Sequence, residues 1–156
     1  MLTIAIIDRH PTARLDLSSI LRQHFDDISL LLSRNGKTFH KTFPDAEPNL
    51  IILGFAHPRG ASGRDALQQI TLYQHPEKII ILDEDPHPEV IMFYLRANVK
   101  GYISKRKTTG EIVDCIKTAL DGQMYIGLDT LELLIENFTV KIRGVGGDWG
   151  STSSFD

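Results

Sequence analysis

Three short apolar runs, at residues 2–7, 50–53 and 79–82, constrain this chain more than any other feature. Each is rich in β-branched side chains and nearly continuous rather than alternating, which is how strands covered on both faces read. Such strands need helices above and below them, and helically spaced segments lie between the runs. Residues 11–25 open on Pro11, suited to a first helical turn, and place Leu17, Ile20, Leu21 and Phe25 on one side. Residues 28–33 suit a second strand, Asn35-Gly36 a turn, and residues 37–43 a short second helix before Pro44 and Pro48.

The same alternation continues through the second half. Residues 64–73 carry Ala66, Leu67 and Ile70 at helical spacing, and residues 88–97 carry Val90, Ile91, Tyr94 and Leu95. Residues 99–104 read as a fifth strand. Thr109 is the expected N-cap of a helix over 111–121, with Ile112, Ile116, Ala119 and Leu120 inward and Gly122 as its stop. Five βα units in succession predict an α/β fold of the doubly wound, flavodoxin-like kind. Its five-stranded parallel sheet, with helices on both faces, takes the order 2-1-3-4-5. Beyond it, residues 128–138 set Leu131, Leu134 and Ile135 in helical register, while residues 144–156 are Gly/Ser-rich, with only Val145, Trp149 and Phe155 to anchor them. The expected organisation is a core over 1–127, an extra helix or linker over 128–143, and a flexible tail over 144–156.

With 156 residues, one core is expected rather than two. No apolar run approaches the roughly 20 residues that cross a bilayer. The opening MLTIAIIDRH reads as a first strand rather than a signal peptide, so a cytoplasmic location is expected. The lone Cys115 excludes an internal disulfide and a cysteine-based metal site, and a net charge of −3 gives no global attraction to nucleic acid.

The segment NLIILGFAHPRGASGRDAL resembles the third strand and following loop of response-regulator receiver domains, whose usual pattern is close to DLVLLDLxMPGxxGxxAL. IAIIDRHP is similar to the family's IVDDHP opening, GYISK to the end of its fifth strand, and EIVDCIKTALDGQMYI to the last helix and turn of the NarL/FixJ (LuxR-type) subfamily. The resemblance covers residues 1–127. It implies two acids after the first strand that hold a divalent cation and an aspartate after the third that accepts a phosphoryl group. It also implies a Ser/Thr after the fourth and a lysine after the fifth that contact that group.

Only part of this set is present. Asp8 matches the first acid, but Arg9 stands at the second. Gly54 replaces the acceptor and has no nucleophile, so no carboxyl phosphate can form there. Asp83 replaces the hydroxyl and puts negative charge where a phosphoryl oxygen would approach. Lys105 is retained, as is Tyr102, the aromatic that in relatives changes rotamer with signalling state. The degenerate site thus comprises Asp8, Arg9, Gly54, Asp83 and Lys105, with no catalytic residue, no metal site and no cofactor expected.

Two readings compete for these charges. In one, Arg9 and Lys105 pair with Asp8 and Asp83 in a permanent network, since arginine's planar fork suits carboxylates. In the other the charges are solvated, and exposed pairs contribute only about 0–1 kcal/mol. Metal binding through Asp8 and the Asp83-Glu84-Asp85 run ranks below both. His10, His57, His75 and His87 read as surface residues, Cys115 as inert packing, and Lys100, Lys105, Arg106 and Lys107 as a solvated basic rim.

The function these readings favour is a noncatalytic pseudo-receiver: a regulatory and interaction module, not an enzyme, working without phosphorylation. A homodimer or another regulatory protein is the expected partner. DNA would be reached only through a domain absent from this chain, because no recognition-helix segment follows residue 138. The alternatives are a divergent metal- or phosphate-handling protein and a small-ligand sensor in which the glycine opens space at the sheet edge. For self-association, the flank of the last core helix offers Val113 and Lys117 one turn apart, with Asp114 and Asp121 on its outer side.

Overall fold

The computed structural model describes residues 1–55 and 74–145. The helix expected over 64–73, His57, and the tail beyond residue 145 lie outside the described residues.

All strands run parallel, because each returns to the sheet through a crossover. They are β1 (Leu2–Asp8), β2 (Ile28–Ser33), β3 (Leu50–Phe55), β4 (Ile79–Asp83), β5 (Gly101–Ser104) and β6 (Tyr125–Ile126), in the order β2-β1-β3-β4-β5-β6. The expected doubly wound order holds, but the sheet has six strands rather than five. The sixth is two residues long, too short for any apolar pattern. Tyr125 N–H donates to the Lys100 carbonyl at 2.9 Å and Gly127 N–H to the Tyr102 carbonyl at 3.0 Å.

The described α-helices are α1 (Pro11–His24), α2 (Gly36–Thr42), α3 (Pro88–Arg96), α4 (Thr109–Leu120) and α5 (Leu128–Val145). Their ends follow local chemistry. Asn35 caps α2, its side chain accepting from Thr38 N–H at 2.8 Å. The cap of α4 is Thr108 rather than Thr109, since its hydroxyl accepts from Glu111 N–H at 3.3 Å. Past α4, Gly122 adopts φ +82°, the left-handed turn that glycine makes without steric cost. Helix α5 continues past residue 138, where its apolar spacing was expected to end.

Strand side chains alternate between two buried layers. Ile4, Ile6, Ile52, Ile80, Leu82 and Ile103 meet Leu17 and Leu21 of α1 and Ile112, Cys115 and Ile116 of α4. On the other face Ala5, Ile7, Leu53, Ile79, Ile81 and Tyr102 meet Phe39 of α2 and Val90, Ile91 and Tyr94 of α3. Fully burying one such aliphatic side chain stabilises the fold by about 1.5–3 kcal/mol. Helix α5 lies on this second face, against α3 and β5, with Leu133 and Leu134 packed on the core. No helix among the described residues is long and apolar enough to cross a membrane.

Candidate functional site

The carboxyl ends of β1, β3, β4 and β5 come together at one edge. Register puts Asp8 beside Gly54, and Asp83 beside Ser104. Parallel neighbours project to the same face, so the Asp8 carboxylate can lean across a residue that has no side chain of its own. It does so: a Cβ built on Gly54 would fall on Asp8 Oδ2, with Asp8 Cγ at 2.9 Å and Lys105 Cε at 3.1 Å.

Asp8 is 4 % exposed and fully engaged. Its Oδ2 meets Lys105 Nζ at 2.7 Å, and its Oδ1 accepts from His10 N–H at 2.9 Å. Arg14 reaches up from α1 to donate from Nη1 to the Asp8 carbonyl at 2.6 Å. Lys105 reaches a second acid, Glu84, at 3.4 Å. The lysine therefore closes over Gly54 and joins the ends of β1 and β4.

Asp83 does something else. It is completely buried, its Oδ1 accepts from Asp85 N–H at 3.1 Å, and its Oδ2 accepts a short hydrogen bond from the Tyr102 hydroxyl. Tyr102 is itself completely buried, its ring 5.8 Å from that of Tyr94. Burial first, and then the neighbouring carboxylate, hold the Tyr102 hydroxyl far above the ordinary tyrosine range, so it remains a donor.

The expected network is thus corrected in its pairing. Arg9 is exposed and makes no ion pair with the described residues; Asp83 pairs with Tyr102, and Lys105 pairs with Asp8 and Glu84. The cause is reach. Arg9 lies just past β1 and turns to solvent, while Tyr102 sits two residues before Ser104, on the face that Asp83 shares. That register signal was available in the sequence once β4 and β5 were paired. The Arg14 contact carried no such signal.

Other candidates separate as cleanly. Val113 is 4 % exposed and interior, which removes it from any contact surface; Lys117 on the same helix is exposed. Cys115 is buried, and burial pushes its thiol up to about 12, consistent with packing rather than reactivity. Three of the four basic-rim residues are engaged within the chain: Lys100 with the Gly122 carbonyl, Lys105 as above, and Lys107 with Glu111 and Asp129. His10, His75 and His87 stand at the surface, each beside an acid.

A receiver-type site implies a divalent cation at this edge. Magnesium requires a near-octahedral shell of oxygens. Both Asp8 oxygens are already taken, one of them by an ammonium group; Gly54 supplies none, and Arg9 occupies the place of the second acid. The residues present do not fit that ion.

The parallel sheet order and the helices on its two faces are those of the doubly wound, flavodoxin-like architecture. No protein-family model matches the chain. It is 26 % identical over 135 residues to the oxygen regulatory protein NreC of Staphylococcus epidermidis, covering 86 % of this chain and 62 % of that protein. It is 27 % identical over 150 residues to NreC of Staphylococcus carnosus, covering 96 % of this chain and 68 % of the relative. The chain therefore spans 62 % of the length of the first of these relatives. Among solved structures, the isolated receiver domain of RcsB from Salmonella enterica superposes with TM-score 0.71 at 15 % identity, covering 85 % of this chain and 98 % of that one. A LuxR-family two-component response regulator from Aurantimonas also gives TM-score 0.71, at 14 % identity, covering 88 % and 97 %. The chain is thus similar in sequence to the NreC proteins and shares the fold of these solved response-regulator structures.

Proposed function

We propose that this chain is a phosphorylation-independent pseudo-receiver, a noncatalytic regulatory and interaction module of a LuxR-type transcriptional regulator. The observation that carries the reading is the Asp8–Lys105 pair lying over Gly54. The volume an acceptor side chain needs is filled by the two residues that elsewhere in the family serve the phosphoryl group. The lysine already has its anion, supplied by the protein itself.

Tyr102 supports the same reading. In the family this aromatic follows the signalling state; here the carboxylate that replaces the usual hydroxyl holds it inside. One conformation is thereby favoured without a phosphoryl group. The small-ligand alternative relied on space opened by the glycine, and Asp8 fills that space. Output would pass through association with a second copy or another regulatory protein, and DNA would be engaged by a domain outside this chain.

The test is intact-mass measurement after incubation with acetyl phosphate and magnesium. The unmodified mass is expected throughout. A stoichiometric, base-labile phosphate adduct mapped to a carboxylate overturns the proposal.

A further inference from the structure

Helix α5 is held to its domain differently from the helices beside it. Each of the other described α-helices sends at least one fully buried apolar side chain into the core, such as Leu21 from α1, Phe39 from α2, Ile91 from α3 and Ile116 from α4. Among the described side chains of α5, no apolar one is fully buried. Leu133 and Leu134 pack on the core but are only partly covered, and Leu128, Leu131, Ile135 and Phe138 stand exposed. The buried side chain of α5 is instead a polar one, Thr130, 1 % exposed.

That threonine weakens the docked state. Its hydroxyl has no hydrogen-bond partner among the described residues, and an unpaired polar group destabilises the state that buries it. The penalty disappears when α5 lifts away and water reaches the hydroxyl. The four exposed apolar side chains do not oppose such a movement, because they stand in water before and after it.

The remaining anchors are local. Lys107 Nζ meets Asp129 Oδ1 at 3.1 Å, but the Asp129 side chain is half exposed, so the pair holds α5 only weakly. Just before the helix, Gly127 N–H donates to the Tyr102 carbonyl at 3.0 Å, which fixes the chain as far as the end of β6. Main-chain hydrogen bonds of α5 are made within the helix, so lifting it breaks none of those in the sheet. The boundary between the fixed and the weakly held chain thus falls at Gly127, the residue between β6 and α5, where the missing Cβ leaves the backbone freest to turn.

We infer that α5 is a releasable strap, which lifts from α3 and β5 about Gly127 while the sheet and the other helices stay folded. Low opening energies belong to elements with few buried apolar side chains. The surface of α3 and β5 beneath the strap is reachable only in the released state. This goes beyond the proposed function and makes no use of the phosphate argument, so either can fail alone.

Native-state hydrogen exchange on the full chain tests it. Amides of residues 132–138 are expected to be protected, yet about a hundredfold or more less than those of β1, β3 and β4. Ile116→Val, in the opposite core layer, should speed exchange of the strand amides several-fold and leave α5 unchanged, since Ile116 stays packed when the strap opens. Thr130→Val, which removes the unpaired hydroxyl and keeps the shape, should slow exchange in α5 about tenfold or more. Both substitutions nearly preserve side-chain volume, so the fold is retained. Amides of α5 that show no protection overturn the inference, as do amides protected equally with the strands and accelerated with them by Ile116→Val. Exchange in Thr130→Val no slower than in the parent overturns it as well.

Discussion

The Tyr102 hydroxyl donates to Asp83 Oδ2 where neither side chain reaches water. At an exposed edge this contact would matter little. Inside, it satisfies a donor and an acceptor that would each cost about 1–3 kcal/mol if left unpaired. It also ties the end of β4 to the middle of β5 and keeps the aromatic ring against Tyr94. A residue that spoils phosphoryl chemistry thus acquires a structural role in the same position.

Removing either partner should therefore destabilise the protein more than removing the neighbouring arginine. Asp83→Ala leaves the Tyr102 hydroxyl buried without this acceptor, and Tyr102→Phe deprives Asp83 of its side-chain donor. Each is expected to lower unfolding stability in urea by about 1–3 kcal/mol, with a double-mutant coupling energy above about 0.5 kcal/mol. Arg9→Ala should change stability by no more than about 0.5 kcal/mol. A larger Arg9 effect, or zero coupling between Asp83 and Tyr102, contradicts the geometry.

Gly54 is the second lever. Adding one methyl there pushes on Asp8 and, through it, on the Lys105 ammonium 2.7 Å away. Gly54→Ala is expected to cost about 1–3 kcal/mol, the usual range for overpacking a filled site. In an Asp8→Ala background the obstructing carboxylate is gone, so the same substitution should cost clearly less. Equal costs in the two backgrounds would mean that Asp8 does not occupy the glycine's space. Gly54→Asp alone should also remain unphosphorylated by acetyl phosphate, because Asp8 and Lys105 still satisfy each other and Arg9 still stands at the second acid's place.

Much of the fold was legible in sequence because doubly covered strands announce themselves. The runs at Ile4–Ile7 and Ile79–Leu82 have few other ways to be buried, and the strand order follows from crossover handedness. Of the candidate site residues, Asp8, Gly54 and Lys105 meet at one point, whereas Asp83 turns to the other face of the sheet and pairs with Tyr102; the nearness of these residues in the fold was legible. The site's pairing was not, because neighbouring charges look equivalent in a sequence and only register decides which side chain shares a face. Val113 failed for a related reason. It lies beside Ile112 at the edge of the apolar stripe, where helical spacing alone cannot separate flank from interior. The outward stripe of α5 escaped because Leu131, Leu134 and Ile135 read as one face, whereas the structure turns Leu134 inward and leaves the other two exposed.

The α4 surface gives a direct contrast. Val113→Glu places a charge at an interior position, and burying an unpaired carboxylate is strongly unfavourable. Thermal unfolding should show loss of more than about 3 kcal/mol, or failure to fold. Lys117→Glu, on the exposed side of the same helix, should stay within about 0.5 kcal/mol of the parent. Should both variants fold equally well, α4 would have to present Val113 to solvent.

Alkaline titration reads two buried groups at once. Burial raises the Cys115 thiol from 9.0 to about 12, and burial together with Asp83 raises the Tyr102 hydroxyl above its ordinary 10.0. In both, the protonated form is the neutral one that the folded protein retains, while the unfolded chain loses its proton at the ordinary value. Stability is therefore unaffected by these groups below about pH 9 and falls as pH rises beyond it, since the folded state then binds more protons than the unfolded state. Each group contributes a slope of about 1.4 kcal/mol per pH unit once its unfolded form ionises, so the decline should steepen when tyrosine joins cysteine. Urea unfolding at intervals above neutrality measures this. Cys115→Ala should flatten the first part of the decline and Tyr102→Phe the second; a parent curve that stays level through the alkaline range would show that the thiol and the hydroxyl ionise in the folded protein as readily as in the unfolded chain.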